Sequence, residues 1–91
     1  MELLFFVMAY WVYIPYSERL DKYYVGQTSD LVKRVERHNE GKGGFTRTGL
    51  PWVLIYSISC NSRGEAMVLE KKIKNLGAKK FLQILEDSRD V

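Results

Sequence analysis

Two strand-like runs lie close together early in the chain, and they limit its fold more than any other feature. Ala9 to Tyr16 is dense in aromatic and β-branched residues, and Tyr23, Tyr24 and Val25 resume that character before Gly26. Such side chains suit the pleated, half-buried surface of a sheet. Only the polar turn Ser17 to Lys22 separates the runs, so they are expected to pair as a hairpin. Pro15 has no N–H to give to a ladder, which predicts an edge position or an exit from the sheet. A lone hairpin is marginal in water, so the rest of the chain must supply a further strand and covering helices.

The following residues meet that demand. Thr28 and Ser29 offer a helix N-cap, and Asp30 falls in the first turn, where negative charge favours the helix dipole. Leu31, Val32, Val35, His38 and Asn39 recur at helical spacing, and Gly41 closes the helix. Residues 42–49 read as a glycine-rich basic loop, and Pro51 leads into a third strand from Trp52 to Ser59. Ser62 and Glu65 form a capping box, and Ala66, Leu69, Ile73 and Leu76 then make one apolar stripe. Gly77 breaks that helix. Ala78 to Leu85 is expected as a short final helix whose Phe81, Leu82 and Leu85 help close the core.

The expected fold is therefore α/β, of the α+β kind. A three-stranded antiparallel sheet is flanked by helices in the order β-β-α-β-α-α, and residues 1–91 form a single domain. Residues 1–7 are read as a loose extension or a lengthening of the first strand, and residues 87–91 as a polar tail that frays.

Composition bounds the function only loosely. A 91-residue chain with 46% hydrophobic residues can build one modest core, which argues against disorder. A net charge of +3 permits contact with phosphates without demanding it. Cys60 is the one cysteine, so an internal disulfide and a cysteine zinc site are both excluded, and a reducing, cytoplasmic setting is expected. Cys60 itself reads as a core or strand-end thiol. The opening MELLFFVM lacks the features of a signal peptide and is too short to span a bilayer, so no membrane role is expected.

Side chains able to do chemistry fall at suggestive places. Arg34 and His38 are four apart on the first helix and share a face, as do Glu70 and Lys74 on the second. Glu70 directly follows the stripe residue Leu69, which places it at the rim of the core, where a charge needs a partner. From spacing alone, Glu70 and Lys74 read first as a surface ion pair worth a few tenths of a kcal/mol. Arg34 likewise reads first as a solvated arginine near Glu36 or Glu40, and His38 as a packed helix-end histidine.

The hairpin shifts that balance. It carries Val12-Tyr13-Ile14 and Tyr24-Val25-Gly26, and Gly26 leaves room for a backbone or ligand to approach. These tripeptides resemble those that name the GIY-YIG nuclease superfamily, with Val12 in place of glycine and Val25 in place of isoleucine. The likeness continues in order through Gly26 to Leu31, Arg34, His38-Asn39, Gly41 to Gly44, Thr46-Arg47, Pro51, Leu54-Ile55-Tyr56, Glu65-Ala66, Leu69-Glu70 and Ile73-Lys74. It covers about Tyr10 to Leu76 and looks like the small stand-alone, UvrC-like branch.

The resemblance implies hydrolysis of a DNA phosphodiester with one divalent ion, Mg²⁺ or Mn²⁺, held by Glu70. Tyr13 would be the general base, with Tyr24 orienting water and Arg34 gripping phosphate oxygens through its planar fork. His38 would help orient the site. Lys42, Thr46, Arg47 and Lys74 would contact the nucleic-acid backbone. One such site cuts one strand, so duplex cleavage implies a homodimer, a partner protein or two visits. A second reading is a catalytically weak or partner-dependent nucleic-acid-binding module. A third is an interaction domain in which the tyrosines only pack, which salt-insensitive or absent DNA binding would reveal.

Overall fold

The structure is a computed structural model that describes residues 9–41 and 44–89. Strand β1 (Tyr10–Ser17) runs through the middle of one antiparallel sheet. Strands β2 (Lys22–Tyr23) and β3 (Gly26–Thr28) pair with one side of β1, and β4 (Trp52–Cys60) pairs with the other. Helix α1 (Leu31–Asn39) follows β3, and a 3₁₀ segment (Gly44–Gly49) precedes β4. Helices α2 (Arg63–Leu76) and α3 (Ala78–Ser88) end the fold. β2 and β3 are two pieces of one broken strand, so the sheet is three strands wide, and the expected α/β class and element order hold.

The alternation of β1 divides the molecule. Val12 and Ile14 join Val25, Ala66 and Ile73 in the apolar core, with Phe81 and Leu82 of α3 packed against it. Tyr13, between them in sequence, pairs with Gly26 and Ser57 across the sheet and meets His38 of α1. Successive strand side chains point to opposite faces. One strand thus feeds an apolar core with one set of residues and a polar cluster with the other.

Several local expectations need correction. The second strand does not run through Tyr23 to Val25: it breaks at Tyr24 and Val25 and resumes at Gly26. Pro15 lies neither on an edge nor outside the sheet. It is buried in the central strand, at a register shift against β4 between Ile14 and Pro15. Such an irregularity accommodates a residue with no N–H. The Pro15 carbonyl still accepts, from the Tyr24 N–H at 3.0 Å. Ser17 is also no turn residue. It ends β1 fully buried, donating to the Gly49 carbonyl at 2.7 Å and accepting from the Leu20 N–H at 3.1 Å.

The caps differ in detail. Asp30, with extended backbone, is itself the N-cap of α1, its carboxylate accepting from the Lys33 N–H at 3.1 Å. Thr28 lies two residues earlier and accepts from the Asp30 N–H. Gly41 follows the C-cap with φ of +73°, the left-handed turn that glycine adopts at low cost. Ser62 caps α2 as expected, while Glu65 reaches back to the Asn61 N–H at 3.0 Å. Helix α3 runs to Ser88, past the expected end at Leu85. Gln83–Asp87 and Ser88–Ile84 bonds at i,i+4 spacing extend it, so Asp87 and Ser88 are not tail. The expectations for residues 1–7 and for 90–91 lie outside the described residues.

Candidate active site

The break at Tyr24 and Val25 lets the Tyr24 ring approach the ring of Tyr13, with centroids 6.3 Å apart. Gly26, opposite Tyr13, is what allows this packing. A Cβ there would lie 2.8 Å from the Tyr13 hydroxyl, so the tyrosine ring occupies the space a side chain would need. The approaching group that the glycine admits is Tyr13 itself.

Helix α1 brings His38 to both phenols. The Tyr13 hydroxyl and His38 Nε2 are 2.9 Å apart, and the Tyr24 ring meets the imidazole edge-on at 4.9 Å. Trp52 completes the aromatic group, 6.4 Å from both Tyr24 and His38. Its indole N–H is anchored on the Thr46 carbonyl at 2.6 Å. Asn39 acts as a clamp between helix and sheet. Its amide donates to the Trp52 carbonyl at 3.0 Å and accepts from the Trp52 N–H at 2.7 Å, which fixes the end of α1 and with it His38.

Burial governs the electrostatics. Tyr13 is fully buried, and burial pushes its phenol up to about 12. The hydrogen bond and charge of Arg34 pull it down, while Tyr24 and Glu70 push it up, and burial prevails. The His38 imidazole is held below its ordinary value of 6.5, first by burial and then by the Arg34 charge. It is therefore neutral at pH 7. With its proton on Nδ1, Nε2 accepts from the Tyr13 hydroxyl.

Arg34 is exposed on α1, near enough to act on both Tyr13 and His38. Glu70 of α2 acts on Tyr13 and keeps only 20% of its side chain exposed, with its Oε2 3.1 Å from Lys74 Nζ. The rim position expected for Glu70 is the one observed, and Lys74 is its partner. Tyr13, Tyr24, Arg34, His38 and Glu70 thus converge, with Lys74 beside them. Arg47 is exposed on the 3₁₀ segment. Thr46 is 6% exposed, which leaves its hydroxyl little access to a backbone phosphate. Lys42 lies outside the described residues. Sequence reasoning gave Trp52 no role, because nothing near it in the chain signals contacts with Tyr24 and His38.

Among the described residues no group of three or more His, Cys, Asp or Glu side chains could hold a metal. A single carboxylate still fits Mg²⁺, which keeps several waters and shares its shell with substrate phosphates. Lys74 pairs with one of the two carboxylate oxygens, Oε2.

These elements make a small mixed α/β domain, an antiparallel sheet flanked by three helices. A family model described as the GIY-YIG catalytic domain matches residues 9–82, and the chain belongs to that family. GIY-YIG nucleases are generally metal-dependent. A UPF0213 protein of Bacillus velezensis is 43% identical over 67 residues, spanning 72% of this chain and 68% of that protein. The UPF0213 protein YazA of Bacillus subtilis is 39% identical over 71 residues, 77% of this chain and 72% of its own. The solution NMR structure of a UPF0213 protein from Bacillus halodurans is 32% identical with a TM-score of 0.55, covering 87% of this chain and 84% of that one. No helix among the described residues is long and apolar enough to cross a membrane.

Proposed function

We propose that the protein is a metal-dependent endonuclease that hydrolyses DNA phosphodiesters. The convergence of Tyr13, Tyr24, Arg34, His38 and Glu70, drawn from β1, the broken strand, α1 and α2, carries this reading. A Mg²⁺ or Mn²⁺ ion on Glu70 would neutralise phosphate charge when bound. The exposed Arg34 guanidinium would grip the non-bridging oxygens and stabilise the charge that builds as water attacks.

The phenols divide the remaining work differently from the sequence-based expectation. Tyr13 is sealed from solvent, its hydroxyl engaged by His38 and its proton held tightly, so it is poorly placed to meet water. Tyr24 is only half-buried and is the phenol that can face the attacking water. Tyr13 then serves as a positioning residue, fixing His38 and Arg34 beside Tyr24.

The test incubates the protein with nicked, flapped and duplex DNA, with and without Mg²⁺ or Mn²⁺. Cleavage only with the ion is expected, and its absence on every substrate would defeat the reading. Tyr24→Phe should lose more cleavage rate than Tyr13→Phe, and the reverse order would return the base role to Tyr13. The sealing of Tyr13 also favours a second reading, a nucleic-acid-binding module of weak or partner-dependent activity. DNA bound but uncut under all these conditions would select it.

A further inference from the structure

An open cavity of about 510 Å³ adjoins the cluster and shares Tyr24 with it. It lies between the end of the hairpin and the junction of α2 with α3. Tyr23, Tyr24, Lys22, Lys74 and Lys79 line it, together with Asp21. Its volume is in the range of sites for small organic groups. Of the three lysines in the lining, Lys74 is paired with Glu70, and the Asp21 carboxylate accepts from the Tyr16 hydroxyl at 2.6 Å. The Tyr16 ring packs on Tyr23 with centroids 4.9 Å apart, which steadies the aromatic wall.

Rings beside ammonium groups are the combination that holds a nucleic-acid strand: bases stack on aromatic faces while cations track the phosphates. Location strengthens the argument. Tyr24 belongs both to this lining and to the catalytic cluster, and Lys74 belongs to the lining while it pairs with Glu70. An occupant of the cavity would therefore be continuous with whatever sits between Arg34 and Glu70. Inside a duplex both faces of a base are covered by its stacked neighbours, so an occupant that lays its base on a tyrosine ring has left the stack.

We propose that this cavity binds one unpaired nucleotide of the DNA strand, next to the phosphate that is cut, with its base on the Tyr23 and Tyr24 rings and its phosphate at Lys79. The place beside a scissile phosphate rests on the nuclease reading; the binding does not.

The test measures fluorescence anisotropy of a labelled oligo-dT strand and of a blunt duplex, without added metal, as salt is varied. Lys79→Glu is compared with the intact protein and with Lys71→Glu, an equal charge change at an exposed α2 position outside the cavity. Lys79→Glu should weaken single-strand binding about tenfold and lower the salt slope by roughly 0.7, the share of one phosphate contact. Lys71→Glu should change binding far less, and the duplex should respond weakly to either. An acidic residue in the first turn of α3 suits the helix dipole, so the variant should fold. If its melting shows otherwise, Lys79→Ala replaces it with the same expectation in smaller measure. Equal losses for both lysines, no loss at Lys79, or a parallel loss on the duplex would overturn the proposal. Lys79-dependent binding without any cleavage would remove the nuclease reading and leave the site standing. Cleavage with Lys79-independent binding would do the opposite.

Discussion

The two sides of β1 make different demands on sequence. On one side Val12 and Ile14 sit with Val25, Ala66 and Ile73, and nothing but volume and apolarity holds the set together. On the other, Tyr13, His38, Tyr24 and Trp52 are fixed by directional contacts: a phenol on an imidazole, an indole on a carbonyl, and an asparagine clamped to backbone. Apolar cores tolerate exchange as long as volume is kept. Hydrogen-bonded clusters do not, because a lost partner leaves a buried polar group unsatisfied. Among the described residues every buried side-chain polar atom has a partner, so the polar side carries no slack. The apolar side rests on volume, and the polar side on directional contacts.

That contrast can be broken by substitution. The largest effect is expected for Glu70→Gln, which should lower metal-dependent cleavage by about 10²–10³-fold, the scale for losing one preorganised electrostatic group. Its melting temperature should barely move, since the Lys74 pair is partly solvated. Full activity in this variant would take Glu70 out of the mechanism. Ile73→Ala should do the reverse, costing roughly 2–5 kcal/mol of stability in denaturant titration. Its cleavage should remain near normal where the protein is still folded, and a selective loss of activity would blur the division.

Gly26→Ala probes the seam between the two sides. The added carbon meets the Tyr13 ring, so roughly 1–3 kcal/mol of stability should be lost, with a fall in cleavage. Unchanged melting and rate would show that the ring moves freely.

The smallest effect concerns pH. Burial and Arg34 hold His38 below 6.5, so the folded state favours neutral imidazole. The stability this confers is complete above the unfolded value near 6.5 and is lost as pH falls through the lower folded value. Melting followed from pH 7.5 to 5 should therefore decline more steeply in the intact protein than in His38→Gln. Parallel curves would mean that His38 is not held neutral by the fold.

The sequence by itself determined most of the elements and their order. Ser62 with Glu65, Gly41 after the α1 stripe, and the aromatic run of β1 act on neighbours a few residues away, so local pattern sufficed. The ordered likeness from Tyr13 to Lys74 was legible for the same reason. Tertiary structure alone decided that Pro15 lies in the central strand, that the second strand breaks at Tyr24, that Trp52 joins the cluster and that Tyr13 is sealed. Burial and hydrogen bonding depend on groups brought from far along the chain. Tyr13 and His38 are 25 residues apart, and no local pattern sets the distance between their hydroxyl and ring nitrogen.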